Sequence, residues 1–239
     1  MNPITLLSLA IAPGLAIGVY VYWQDKFDKE PLHLLLLSFF YGMLSVIPAV
    51  LLSELGTALG FDPESSSLGF SLLSCVIGIG LVEEYSKYLF VRYGAYRRNA
   101  FNEPYDGITY SVMVSMGFAT LENVLYVFNS EAEDGGGMST GILRMFTAVP
   151  AHATFAIIIG YYLGQAKHNQ QPAVGIIGLF LAALLHGVYD FFLFNSNRPG
   201  LVLGALLSLL IGLGYSRKAI RLHQQASPFN GTGSGNNPG

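Results

Sequence analysis

Seven stretches of about 20 predominantly apolar residues recur along the chain, at roughly 4–23, 33–55, 70–92, 107–128, 144–164, 173–194 and 200–216. At about 1.5 Å of rise per residue, a helix of that length covers the roughly 30 Å hydrocarbon core of a bilayer. In lipid, a helix satisfies its backbone N–H and C=O groups within one segment. The expected fold class is therefore all-α, a polytopic transmembrane helix bundle of about seven spans. Composition agrees, because 11% of the 239 residues are charged, whereas soluble domains carry about a quarter. The breaks between runs, such as QDKFDKEP, FDPESSS and NSEAEDGGGMSTGI, are turn-like or charged and too short to form a domain.

Several alternatives are disfavoured by the same reading. A net charge of −3 with no basic stripe argues against a nucleic-acid partner. The single Cys75 cannot form an internal disulfide. The start MNPIT has no basic n-region, so the first apolar run reads as a retained span with Tyr20, Tyr22 and Trp23 at an interface. Lys26, Lys29, Arg92, Arg97, Arg98, Lys167, Arg217, Lys218 and Arg221 fall on one side of a seven-span arrangement, and only Arg144 and Arg198 fall on the other. Basic residues are retained on the cytoplasmic side, so the amino terminus is expected outside and the carboxyl terminus in the cytoplasm. Residues 1–222 form the expected membrane domain, and 223–239 are small, polar and glycine-rich, a composition expected to stay disordered.

Against this apolar background, Glu83, Glu84 and Lys87 stand in LVEEYSKYLF, Glu122 in GFATLENVLY, His152 in VPAHATF, and His186 with Asp190 in LLHGVYDFF. Each ionised group at a helix centre costs about 2.5–3.5 kcal/mol on insertion scales unless it pairs, neutralises or meets water. These residues are therefore expected to face the bundle interior. Glu83 and Lys87 are spaced i, i+4, as are His186 and Asp190, which puts each pair on one helix face. The rise from the expected outer ends places Glu122, His152 and His186 about 9–12 Å deep and Glu83 about 20 Å deep, a mismatch that helix tilt and side-chain lean reduce. Small residues nearby, including Gly78, Gly80, Ser111, Ser115, Gly117 and Gly187, read as sites of close backbone packing.

A cluster of this kind suits amide hydrolysis or, as the alternative, a proton-coupled transporter or channel; a noncatalytic scaffold is a third reading. For hydrolysis, Glu83 or Glu84 is expected to activate water and His186, oriented by Asp190, to hold it or donate to the oxyanion, with Asn123 or His152 completing the donors. This scheme requires no cofactor. The alternative is zinc, for which Glu83, Glu122, His152 and His186 are the candidate ligands, although HExxH is absent from the sequence. Serine or cysteine catalysis lacks a base at a suitable spacing.

The motifs resemble those of the PrsW membrane proteases, relatives of the CAAX prenyl endopeptidases and of bacteriocin-processing membrane enzymes. The likeness lies in Glu83, Glu84 and Lys87, then Phe118 with Glu122 and Asn123, then His152 before Gly160, then His186 with Asp190. The wider superfamily has histidine at the place of Glu122, so this chain follows the PrsW variant. The resemblance implies a membrane endopeptidase in a bacterial inner membrane, whose partners are the lipid bilayer and a membrane-anchored protein substrate such as an anti-sigma factor.

Overall fold

The computed structural model describes residues 2–198 and 200–230. Among them every regular element is helical, and seven helical segments are long and apolar enough to cross a membrane. These spans are Pro3–Gln24, Leu32–Ala58, Leu68–Ala95, Pro104–Asp134, Gly137–His168, Pro172–Phe194 and Leu201–Gln225. The most apolar stretches of the fourth and fifth spans are 67% and 61% buried, against 28–39% in the other five. These two spans therefore form the centre. The others expose large apolar side chains such as Trp23, Leu51, Phe180 and Leu203 on the outer surface.

Two boundaries differ from the sequence expectation, and both differences matter for the site. The fourth span does not stop near 128 but runs to Asp134, where Gly135 ends it in the left-handed conformation (φ 75°) that glycine adopts without steric cost. Polar residues in NSEAED do not end a helix whose other face is packed. The fifth span starts at Gly137 instead of 144 and consists of two helices, Gly137–Phe146 and Ala148–His168, hinged at Thr147. The hinge has a local cause: the Pro150 ring opposes the carbonyl four residues earlier, at Phe146. Residues 223–230, expected in an unordered tail, contain the end of the seventh span at Gln225 and a buried Ser227; residues 231–239 lie outside the described residues.

The third span departs from α geometry twice. Leu68–Ser74 and Val82–Phe90 are α-helical, while Cys75–Leu81 and Val91–Ala95 wind as wider π-helical turns. The first wide turn lies against the sixth span at a contact only glycine permits. A Cβ placed on Gly80 would lie 2.4 Å from the Ala183 carbonyl oxygen, and one on Gly187 would lie 2.3 Å from Val76 Cα. Backbone therefore touches backbone there, three residues before Glu83 and one residue after His186. The fourth span meets the second in the same way through Gly117 and Gly42, and the fifth through Gly107 and Gly160.

Gly187→Ala is expected to destabilise the fold by about 1–3 kcal/mol, because the methyl meets fixed backbone. Gly69→Ala, where an added Cβ meets nothing within 4 Å, is expected to leave the thermal midpoint in detergent unchanged. Equal midpoints for the two variants would count against the backbone crossing.

Candidate active site

The close approach of Gly80 and Gly187 sets Glu83, Glu84 and Lys87 of the third span beside His186 and Asp190 of the sixth. The Lys87 ammonium lies 2.6 Å from Glu84 Oε1, 3.5 Å from Glu83 Oε2 and 3.2 Å from His152 Nδ1 of the fifth span. It also sits 4.3 Å from the centre of the Phe118 ring, a cation–π contact. An ammonium can only donate. His152 Nδ1 must then accept, so its proton is on Nε2, which points at Glu122 Oε2 from 3.0 Å.

His186 is held equally closely. Its Nδ1 lies 2.8 Å from Glu84 Oε1, while Nε2 faces Asp190 Oδ2 at 3.3 Å and Glu83 Oε2 at 3.9 Å. Phe155 stacks on the ring at 4.5 Å, and the two imidazoles meet edge to face at 5.2 Å. Glu84 is fully buried and reaches both Lys87 and His186 through one oxygen. It stands behind the imidazole as a support, away from the cavity lining.

A cavity of about 290 Å³ opens in front of these groups, lined by Glu83, Glu122, Arg144, His152, His186 and Asp190 together with apolar side chains that include Phe155 and Leu193. Its volume is many times the ~30 Å³ share of one water. Of the candidate site residues Glu83, Glu84, Glu122, His152 and His186, all but Glu84 border it. Asn123 is 1% exposed; it donates to the Ala10 carbonyl and accepts from Arg144 Nε at 2.6 Å. It therefore anchors Arg144 and does not face the cavity as an oxyanion donor.

Arg144 lines the cavity as well, a place its position in the sequence did not suggest. Its Nη2 lies 2.5 Å from Glu122 Oε2, and its guanidinium covers Tyr126 at 4.0 Å. Counted as one of two basic residues on the outer side, it was assigned to a span end near 144. The added helix Gly137–Phe146 carries it inward instead. A basic residue inside the apolar run GILRMF was the available signal. With Arg144 included, four carboxyl groups are opposed by an ammonium, a guanidinium and two imidazoles, which accounts for their joint burial.

The corrected span ends bring Glu122 and His152 close to the depth of Glu83, while His186, eight residues from Phe194, stays at about 12 Å. Glu83 lies 15 residues from Leu68 and His152 lies 15 from Gly137, about 22 Å of helical rise in each case. Glu122 lies 12 residues from Asp134, or about 18 Å. Drawing the fourth and fifth spans too short accounts for the mismatch at Glu122 and His152, and the wide turns of the third span, with less rise than an α-helix, shorten the remaining gap to His186.

A family model described as "PrsW family intramembrane metalloprotease" matches residues 30–215. The chain belongs to the PrsW family. It is 35% identical over 208 residues to "Protease PrsW" of Geobacillus kaustophilus, covering 86% of this chain and 87% of that protein. It is 36% identical over 191 residues to "Protease PrsW" of Bacillus subtilis, covering 79% and 82%, and 34% identical over 202 residues to that of Clostridioides difficile, covering 83% of each. No solved structure matches the chain. With seven apolar helices, these relatives make the chain an integral membrane protein.

The family description names a metal, and the residues present fit one. Glu83, His152 and His186 each offer a ligand atom within 4.8 Å of the others, a two-histidine, one-carboxylate set of the kind that holds zinc with an open position. Glu83 Oε2 is buried without a hydrogen-bond partner. His186 Nδ1 is backed by Glu84, as the outward nitrogen of a ligating imidazole is. Glu122, included in the expected ligand set, pairs instead with Arg144 and His152.

Lys87→Met leaves Glu83 and Glu84 buried without their shared cation. It is expected to cost about 3–5 kcal/mol, read as a lowered thermal midpoint in detergent. Tyr85→Phe on the exposed side of the same helix is expected to change it little.

Proposed function

We propose that this protein is an intramembrane endopeptidase that hydrolyses a peptide bond of a membrane-anchored protein at the Glu83 cavity. The observation that carries the reading is convergence: side chains from four spans line one chamber, whereas a proton relay strings its groups across the membrane. The family relationship supports hydrolysis over transport. An anti-sigma factor with a single span is the substrate type we assign.

Glu83 is the proposed base. It borders the cavity, and one of its oxygens is free of hydrogen bonds. In the first step Glu83 takes a proton from water while the water oxygen bonds to the carbonyl carbon. The developing oxyanion is met by Arg144 and by His186, both of which line the cavity, as electrostatic stabilisation requires. Glu83 then returns the proton to the amide nitrogen as the C–N bond breaks, leaving a carboxylate and an amine. Glu84 and Asp190 hold the His186 ring, and Lys87 keeps Glu83 and His152 in register. His152, delivered by the fifth span, supplies an imidazole beside Glu122, where the wider superfamily has histidine in place of that glutamate.

A second reading is favoured by the family description and by the ligand trio. Zinc held by Glu83, His152 and His186 would supply Lewis-acid polarisation and a water ionised near neutral pH. Glu122 is then the carboxylate left at the cavity. In either reading the excess of Lys and Arg at the end opposite Arg144 supports an outward amino terminus and a cytoplasmic carboxyl terminus, and the bacterial relatives support residence in a bacterial inner membrane.

Cleavage of single-span proteins by purified enzyme in liposomes tests the proposal. Glu83→Gln is expected to lower the rate by about 10²–10⁴, the share of a general base, and His186→Ala by a similar factor. Glu84→Gln, which alters a support, is expected to cost less. Full activity in Glu83→Gln would remove Glu83 from the site. Loss on chelation with recovery on added zinc selects the metal reading, and activity unchanged by chelator selects the metal-free one.

A further inference from the structure

A second group of acids lies at the far end of the bundle from the catalytic cavity. Asp25 follows the first span, and Glu103 and Asp106 form the capping box that starts the fourth. They are 1%, 3% and 0% exposed. Each offers an oxygen within 4.8 Å of the other two. Glu30, 4% exposed, adds a fourth carboxyl, to which the Tyr110 hydroxyl donates.

The oxygens facing inward have no partner. Asp106 Oδ2 accepts from the backbone N–H groups of Asn102 and Glu103 at 2.6 and 2.7 Å, and the Ser227 hydroxyl donates to Glu103 Oε2. Asp106 Oδ1, Glu103 Oε1 and both oxygens of Asp25 accept nothing. Among the described residues no lysine or arginine pairs with these acids. Lys29 donates to the Tyr22 carbonyl, and Lys167 donates to the carbonyls of Tyr96 and Arg98. Burial pushes the Asp25 carboxyl up to about 6, outweighing the attraction of Lys29, and that of Glu103 up to about 7.

Shared protons join these carboxyl groups only two at a time, Glu103 with Asp25 and Asp106 with Glu30, whereas one cation ties Asp25, Glu103 and Asp106 together. We propose that Asp25, Glu103 and Asp106 form a binding site for a hard divalent cation of the calcium or magnesium type, which ties the end of the first span to the start of the fourth. All-oxygen donors select hard cations over zinc or copper. A spread of up to 4.8 Å is bridged by an ion with bonds of 2.3–2.6 Å, the calcium range, with less movement than by one at 2.0–2.1 Å. A cavity of about 260 Å³ bordered by Asn102, Glu103 and His168 reaches Glu103 from outside. Because Ser227 holds Glu103, the ion would also fix the chain beyond the seventh span.

The test uses the full chain, purified and stripped with EDTA. Calcium or magnesium at about 10 mM is expected to raise the thermal midpoint by about 5 °C, equally in wild type and in Glu83→Gln, which separates this site from the catalytic one. Asp25→Asn and Glu103→Gln are expected to lose the shift and to keep cleaving substrate. Terbium titrated into wild type is expected to give emission sensitised through the buried Tyr105 and competed by calcium. This readout stands even where a variant fails to fold. No midpoint shift with either ion and no calcium-competed terbium emission would overturn the site, as would a shift that persists in both variants.

Discussion

Lys87 is the one fixed cation within reach of Glu83, Glu84 and His152 together, and the arrangement of the chamber depends on it. Buried carboxylates without such a partner would be neutralised or expelled toward water, and the third span would rotate to let them go. With the ammonium in place, Glu84 can be fully buried and still hold His186 from behind. Glu83 lines the cavity, with its Oε2 paired to Lys87 at 3.5 Å and without a hydrogen bond. Arg144 repeats this arrangement across the chamber, holding Glu122 against His152. Two cations on different helices thus position two acid and imidazole pairs.

Electrostatics alone would not bring those helices together. The third and sixth spans approach at Gly80 and Gly187 closely enough that a methyl group has no room, and the reacting residues are the immediate neighbours of that crossing. Small residues let backbones pack in lipid, where no hydrophobic effect separates helix from helix. The crossing supplies proximity, and the charges supply orientation. The hinge at Thr147 completes the chamber by turning the first part of the fifth span so that Arg144 reaches in.

Much of this was legible in the residues. Apolar runs gave the seven spans, because helices in lipid must bury their own backbone polarity, and the i, i+4 pairs Glu83–Lys87 and His186–Asp190 placed their members on common faces. The small residues at 80, 117 and 187 read correctly as packing positions. What escaped had a common cause: ends and partners are set by tertiary context. The fourth span carries its polar residues to Asp134 because packing elsewhere supports it, so a boundary drawn where hydropathy fades fell short. Arg144 was counted as a flank for the same reason. Adjacent glutamates could not be told apart by spacing; only the fold sends Glu83 to the cavity and Glu84 behind His186. The acids at Asp25, Glu103 and Asp106 fell in loop-like segments of the sequence, where acids ordinarily meet solvent.

The wide turns at Cys75–Leu81 place an unusual demand on the chain. A π-helical turn holds more residues than an α turn, so its register belongs to the number of residues in that stretch more than to their kind. Winding the same seven residues as an ordinary α-helix would swing all that follows by roughly 100°, carrying Glu83 off the cavity wall. Side-chain substitutions that keep the glycines would leave the aim intact. Residue number and wide winding have to match between Cys75 and Leu81 for Glu83 to face the chamber.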